Sequence, residues 1–328
     1  MDERLRASVV VASRNRSALL ARLMTALEAQ EGAPPFEVVI VDDASDDDTA
    51  AVLRDLAASS PLPLRAEAQR PRRGQSAGRN RGWRRAVGEV VLFTDDDCVP
   101  HPGWVAAMCR HLDEVDVVQG RTVPAPDQSA NHGPFSRTLE TTTADGLYAT
   151  CNMGYHRSWL AGVGGFDETY RQFAGEDTDL ALRCLEQGAG FAFAADATVE
   201  HDVRPSNLGA ALKGTWRWQT LPTTLARHPR LEEAFHSRHV WRESHVPAVP
   251  AVAAVLVAVG LLVARRPRSA VALATAGSLP WAHYRLRRAP VTLDKPRRIV
   301  LLPATFLIDG AEVVALARGS VRARRLLL

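Results

Sequence analysis

The sequence predicts an α/β fold, a mainly parallel twisted sheet with helices on both faces, followed by C-terminal hydrophobic helices. Three observations carry this expectation. Short apolar runs alternate with segments of helical period in the first half, acidic clusters fall where two of those runs end, and long uncharged stretches crowd the last third. Strands alternating with helices suit a parallel sheet buried on both faces. Such sheets bind ligands beyond the carboxyl ends of their strands.

Ala7–Ala12 reads as a strand and Ser17–Ala29 as a helix with Leu19, Leu20, Leu23 and Leu27 on one face. Glu37–Val41 is a second strand, apolar after its first residue, and a helix near Thr49–Ala58 follows an acidic turn. Next come a strand near Leu62–Ala66, a helix at Gln75–Val87, the strand Val90–Phe93 and a helix near His101–Leu112. Asp42–Asp48 closes the second strand and Asp95–Asp97 the fourth, so both acidic clusters sit where ligands bind. From about Val115 to His201 the pattern is less regular and carries further polar residues. Asn207–Arg242, with Trp216, Trp218 and Trp241, reads as helical and amphipathic.

With 46% hydrophobic residues in 328, the chain can bury a real core, and disorder is excluded as a general description. A charged start at Met1–Arg6 and a short apolar run after it predict no cleavable leader. Cys98, Cys109, Cys151 and Cys184 show neither CxxC nor metal-type spacing and read as reduced thiols of a cytosolic domain. From Arg238 onward there are 15 basic and 4 acidic residues, leaving 25 against 33 in the remainder. Basic residues flanking apolar runs at one end mark a membrane-facing tail, so no nucleic-acid partner is expected.

Val246–Ala264 is 19 residues without a charge, roughly 28 Å as a helix and close to the bilayer core. Ser269–Tyr284 is a second uncharged run, interrupted by Gly277 and Pro280. The two suit a helical hairpin over about 246–284. A rival reading makes the first run a buried helix of a soluble second domain. The third run, Ile299–Ala317, carries Thr305, Asp309 and Glu312 on one helix face. It therefore lies in the membrane plane or packs its polar stripe on protein. Six basic residues in Arg285–Arg298 and four in the tail predict a cytoplasmic side for both, with the catalytic domain facing the cytoplasm at the cell membrane. The expected domains are 1–240 and the membrane-associated tail 241–328.

Chemistry concentrates in Val91-Leu92-Phe93-Thr94-Asp95-Asp96-Asp97-Cys98. Three carboxylates at the mouth of a buried strand repel one another unless a cation lies among them. A hard divalent ion, Mg²⁺ or Mn²⁺, that bridges carboxylate to diphosphate is the natural occupant. On this motif alone, a solvated turn ahead of a helix explains the residues equally well.

The neighbouring segments resemble the family-2 glycosyltransferases, whose catalytic domain has the GT-A fold, over most of Ala7 to His201. Asp95–Asp97 is similar to the family's Asp-x-Asp motif. Ser8–Arg16 resembles its opening strand and donor loop, and Glu37–Ser45 its second strand. The family's usual aromatic residue is Arg14 here, and its usual glycine is Ala44. Gly74–Gly82 is similar to its glycine-rich segment, Gly164-Gly165-Phe166-Asp167-Glu168 and Gly175-Glu176-Asp177 to two further motifs. The resemblance implies Asp177 as catalytic base, with Ala12, Arg14, Asp43, Arg79, Asp95, Asp96, Asn152 and Glu176 binding the nucleotide-sugar donor. It implies Asp95, Asp97 and His201 as metal ligands, and Asp43 as the contact to the base, expected to be uracil. Asp46, Asp47 and Asp48 are expected to serve the following helix N-terminus.

These expectations add up to a metal-dependent, inverting glycosyltransferase. It would move a sugar from a UDP-sugar to a hydroxyl of a membrane-proximal glycan or a lipid-linked acceptor. Two rivals are a sugar-phosphate nucleotidyltransferase and an inactive membrane-bound scaffold. Against the first, Ser13–Arg16 lacks the glycines such enzymes carry after the first strand. Against the second, both the Asp95–Asp97 cluster and Asp177 are present.

Overall fold

In the computed structural model, residues 4–170, 174–288 and 295–328 are described. The described chain divides by packing into two units, 1–132 with 136–205, and 133–135 with 206–328. The expected boundary near 240 falls inside the second unit.

The first unit opens with β1 (Ala7–Ser13), α1 (Ser17–Glu28), β2 (Phe36–Asp43), α2 (Thr49–Ser59), β3 (Leu64–Gln69), α3 (Gln75–Arg85) and β4 (Val90–Thr94). It continues with β5 (Cys98–Pro100), α4 (Trp104–Leu112), β6 (Val117–Pro124), β7 (Asn152–His156), α5 (Arg157–Val163), α6 (Glu176–Glu186) and β8 (Phe191–His201). The eight strands form one sheet in the order β3-β2-β1-β4-β7-β6-β8-β5. From β3 to β4 every pairing is parallel. Beyond β4 the sheet is mixed, because β7 runs antiparallel to both its neighbours.

Every residue of β1, β2 and β4 is buried. That burial on both faces is why these strands read as continuous Val, Ile and Phe runs without alternation. One face packs on α1 and α4 through Leu20, Leu23, Leu27, Trp104 and Met108. The other packs Val10, Val39, Phe93 and Tyr155 against Trp83, Leu160, Phe166 and Leu180. Gly78 and Gly82 of α3 lie against β1, where an added Cβ would come within 3.0 Å of Ala12 and 2.4 Å of Val10. These glycines bring the helix onto the strand.

The motif Gly164-Gly165-Phe166 is explained by its neighbour α3. Gly164 and Gly165 have φ of 81° and 77°, a region open to glycine at little cost. A Cβ on Gly165 would also lie 2.4 Å from the Asn80 side chain. Asn80 Nδ2 donates to the Phe166 carbonyl and to Glu168, and Asn80 Oδ1 accepts from Phe166 N and Trp83 Nε1. Two motifs far apart in sequence are one hydrogen-bonded unit.

The second unit contains α7 (Leu208–Thr215), α8 (Leu221–Arg227), α9 (His245–Val263), α10 (Pro267–Arg288) and α11 (Lys295–Ala323). Asn207–Arg242 is thus broken into short pieces, with 3-10 turns at Trp216–Thr220 and Pro229–Ala234. Prolines at the starts of α8 and the second turn account for the breaks. The helices α9 and α10 pack on each other, and Gly277 lets them close because a Cβ there would meet Ala254 at 2.3 Å.

The polar stripe of α11 packs on protein, the second of the two arrangements the sequence allows. Asp309 accepts from Trp281 Nε1 at 2.7 Å and Arg285 Nε at 2.8 Å. Glu312 meets Arg242 at 3.2 Å and His245 at 3.4 Å. With both acids turned inward, Ile299, Val300, Leu307 and Val314 are left exposed. Among the described residues two helices, α9 and Pro296–Ala323 of α11, are long and apolar enough to cross a membrane. The expected second arm, α10, is not one of them. Of the basic segment Arg285–Arg298, residues 289–294 lie outside the described residues.

Candidate active site

The carboxyl ends of β1, β2 and β4 open into a cleft of about 250 Å³ lined by Arg14, Arg16, Asp43, Arg72, Gly74, Gln75, Asp95, Asp96, Asp97 and Arg204. Of the expected site residues, Arg14, Asp43, Asp95, Asp96 and Asp97 reach this wall. Arg16 and Gln75 lie within the segments that carry the resemblance, whereas Arg72 and Arg204 lie outside them. Arg204 follows His201 by three residues in a stretch without periodicity, so no sequence pattern marked it.

The loop after β1 is fastened to the loop after β2. Asn15 N donates to Ser45 Oγ, Asn15 Nδ2 to Asp46, and Asp46 N back to Asn15 Oδ1. Asp47 Oδ1 accepts from Thr49 N at the start of α2. Asp47 therefore serves the helix, whereas Asp46 holds Asn15. Ala44 sits at φ 57°, where an L-residue carries a cost of roughly 1–2 kcal/mol; this is the position at which glycine is usual. Arg14 Nε donates to the Ala44 carbonyl at 3.3 Å, and its guanidinium lies 3.7 Å from Asp46.

Asp43 is 5% exposed, and both its oxygens are engaged. Oδ1 accepts from Gln69 Nε2 and Arg73 N, and Oδ2 from Gly74 N. These bonds fix the carboxylate at the cleft rim and tie the segment before α3 to β2.

Arg79 is the buried hub. Only 3% exposed, it donates to Asp95 at 2.7 Å and to Asp177 at 3.1 Å. Burial works against its charge, but Asp95, Asp177 and Glu176 raise its pKa well above the ordinary value, so it stays a cation. Asp177, in the first turn of α6, also accepts from Thr150 N at 3.0 Å. Two rigid contacts therefore hold it at a helix N-terminus, where negative charge is favoured. The neighbouring Glu176 has its carboxyl pushed up to about 8, by burial first and then by Asp177, with Arg79 opposing. Burial, with Asp97 next, pushes Asp96 up to about 7 against a 2.8 Å hydrogen bond from Ser13.

Asn152 is not brought to the cleft. Its Oδ1 accepts from Trp104 Nε1, and its Nδ2 donates to the carbonyls of Arg121 and Ala197. The amide is committed to joining α4, β6 and β8. Ala12 lies buried under the cleft against α3.

His201, at the end of β8, has Nε2 3.9 Å from Asp97 Oδ2. Its Nδ1 donates to the Asp202 carbonyl at 2.9 Å, and Nε2 faces the carboxylate. Arg204 contacts the same oxygen of Asp97. Asp97, Cys98 and His201 bring ligand atoms within 4.8 Å of one another. A carboxylate and an imidazole with its second nitrogen fixed by a carbonyl form a donor pair suited to a divalent cation. The residues present fit such an ion.

The sheet thus carries an acidic, arginine-walled cleft at the carboxyl ends of its strands, where open α/β sheets bind ligands. The model of Glycosyl transferase family 2 matches residues 8–164. That of Glycosyl transferase family group 2 matches residues 90–284, more than half the chain. The chain belongs to the family-2 glycosyltransferases, which transfer sugars from nucleotide-sugar donors.

It is 25% identical to hyaluronan synthase of Pasteurella multocida, over 56% of this chain and 23% of that protein. It is 28% identical to a pre-mycofactocin glycosyltransferase of Mycobacterium tuberculosis, over 60% of this chain and 43% of that one. The match thus spans less than half the length of either relative. Among solved structures it is similar to a mannosyltransferase from Pyrobaculum calidifontis in complex with GDP-Man and Mn²⁺. The TM-score is 0.63 at 23% identity, covering 96% of this chain and 87% of that one. S. aureus TarS 1-349 in complex with UDP-GlcNAc gives 0.53 at 16% identity, covering 98% and 93%. These likenesses are of fold.

Proposed function

We propose that the protein is a metal-dependent, inverting glycosyltransferase that moves a sugar from a UDP-sugar to a hydroxyl of a membrane-proximal glycan or a lipid-linked acceptor. The observation that carries it is the facing pair Asp97 and His201, with the imidazole oriented by the Asp202 carbonyl. Asp97 and His201, with Asp95 beside them, would hold Mg²⁺ or Mn²⁺. When bound, such an ion neutralises charge on the departing diphosphate. The Mn²⁺ in the complex of the Pyrobaculum enzyme supports this reading, as do the UDP-sugar complexes of TarS.

Asp177 takes the proton of the acceptor hydroxyl as that oxygen attacks the anomeric carbon. Arg79 holds Asp177 and Asp95 in one frame, and Thr150 N fixes the second oxygen of Asp177. Arg14, Arg16 and Arg72 line the cleft as cations suited to the diphosphate. Asp43 reads the nucleobase from the rim, Asp96 belongs to the polar wall toward the donor, and Glu176 acts from behind it beside the buried Arg79. An α-linked donor is expected to give a β-linked product; proton NMR of the anomeric signal during turnover checks it, and an α product would contradict inversion.

The helices α9 and α11 anchor the chain to the cell membrane with the catalytic unit on the cytoplasmic side. Leu256, Leu262 and Val263 are exposed on α9. The chain is expected to float with anionic lipid vesicles, and to float less when these three residues are changed to Ser, α11 being left as the remaining anchor. Unchanged flotation of that variant would rule out α9 as anchor.

A further inference from the structure

The carboxylate at the rim of the cleft is bonded on most sides by its own chain. An ionised carboxylate offers about four lone-pair positions on its two oxygens. Among the described residues, Asp43 Oδ1 accepts from Gln69 Nε2 at 2.7 Å and Arg73 N at 2.8 Å, and Oδ2 accepts from Gly74 N at 2.8 Å. Arg72 Nε, 3.9 Å from Oδ2, is too distant for a hydrogen bond. A position on Oδ2 is therefore left for a ligand, in a wall of the cleft that Asp43 shares with Arg72, Gly74 and Gln75. We propose that Gln69 sets the base specificity of the cleft: by closing Oδ1 it lets Asp43 accept from a base that brings one N–H and reject a base that brings two. The inference rests on the reading of Asp43 as the nucleobase contact.

The arrangement is built on paired strands. Gln69 ends β3 in register with Asp43, the last residue of β2, and both side chains are buried. Side chains held on strands keep their geometry better than those on loops. The orientation of the amide follows from its chemistry, because only Nε2 can donate to a carboxylate. Arg73 and Gly74 donate through the backbone, so among these three donors only Gln69 can be removed by changing a side chain.

The bases differ in what they bring to such an acceptor. Uracil and thymine present a single ring N–H between two carbonyls. Guanine presents two adjacent donors, N1–H and its amino group, and suits a carboxylate with both oxygens open. Here the amino group would meet an oxygen that already holds two bonds, beside the Gln69 amide, itself a donor. A donor buried without an acceptor weakens binding.

The test is calorimetric titration of the full chain in Mn²⁺ with UDP, GDP and inosine diphosphate. Inosine diphosphate keeps the purine ring and N1–H of GDP but lacks the amino group, so it separates the second donor from the size of the base. The wild type is expected to bind inosine diphosphate about tenfold or more tightly than GDP, the consequence of one unsatisfied donor. In Gln69→Leu and Gln69→Met the ratio should fall to within about threefold, because Oδ1 regains an open position. Inosine diphosphate that binds the wild type no better than GDP overturns the proposal, whether or not the variants fold. A ratio kept in folded Gln69→Leu also overturns it, since the restriction would then lie elsewhere. UDP affinity unchanged in Asp43→Ala would instead remove Asp43 as the base contact, the reading on which the proposal rests.

Discussion

Asp177→Asn is expected to lower kcat by about 10²–10⁴-fold, the contribution typical of a general base, with UDP affinity within a few fold of the wild type. The reasoning is geometric. An asparagine carbonyl can still accept from Arg79 or Thr150 N, the two groups that hold Asp177, so the frame survives. What disappears is the capacity to accept a proton. Arg79 retains Asp95 at 2.7 Å and is not left as an uncompensated buried charge. Steady-state kinetics with calorimetry separates the two effects. Activity within tenfold of the wild type would remove Asp177 as the base, and a matching loss of UDP affinity would make it a residue that acts through Arg79.

Asp97→Ala is expected to abolish the Mn²⁺ dependence of UDP binding, weakening it at least about 100-fold, the upper range for damage to a metal's supporting groups. Asp95→Ala should behave differently. Asp95 is the nearer partner of the buried Arg79, and breaking a buried ion pair costs about 3–5 kcal/mol. The cost here is smaller, because the Asp95 side chain is 21% exposed and Asp177 remains as second partner. Thermal unfolding should therefore separate the pair, with Asp95→Ala the less stable and Asp97→Ala the poorer binder. Equal melting temperatures with equal binding losses would mean that the two carboxylates share one role.

Much of the fold was legible because strands buried on both faces leave uninterrupted apolar runs. The elements β1, β2 and β4 begin or end within two residues of expectation. Strand β3 shifted to Leu64–Gln69, since its partly exposed Leu-Arg-Ala-Glu-Ala-Gln alternation is a weaker signal than the apolar residues before it. The mixed half of the sheet was illegible for a related reason. Strand β7 runs antiparallel between β4 and β6, and β5 adds to the far edge beside β8, and long-range pairing of this kind leaves no local period.

At the site, the acidic clusters were readable as residue types, but their partners were not. Arg79 was visible as a cation near a glycine-rich segment. Its position between Asp95 and Asp177 depends on three elements meeting. Asn152 shows the opposite failure. The family resemblance implies a donor contact for it, whereas burial beside Trp104 commits its amide to the core.

The central claim, a divalent ion that joins the Asp97–His201 pair to a nucleoside diphosphate, is tested most directly by calorimetric titration of the full chain with UDP in Mn²⁺, then in EDTA. Saturable UDP binding with Mn²⁺ that disappears with EDTA is the expected result. Folded protein that binds UDP equally well in EDTA, or that binds no nucleoside diphosphate in Mn²⁺, would contradict it.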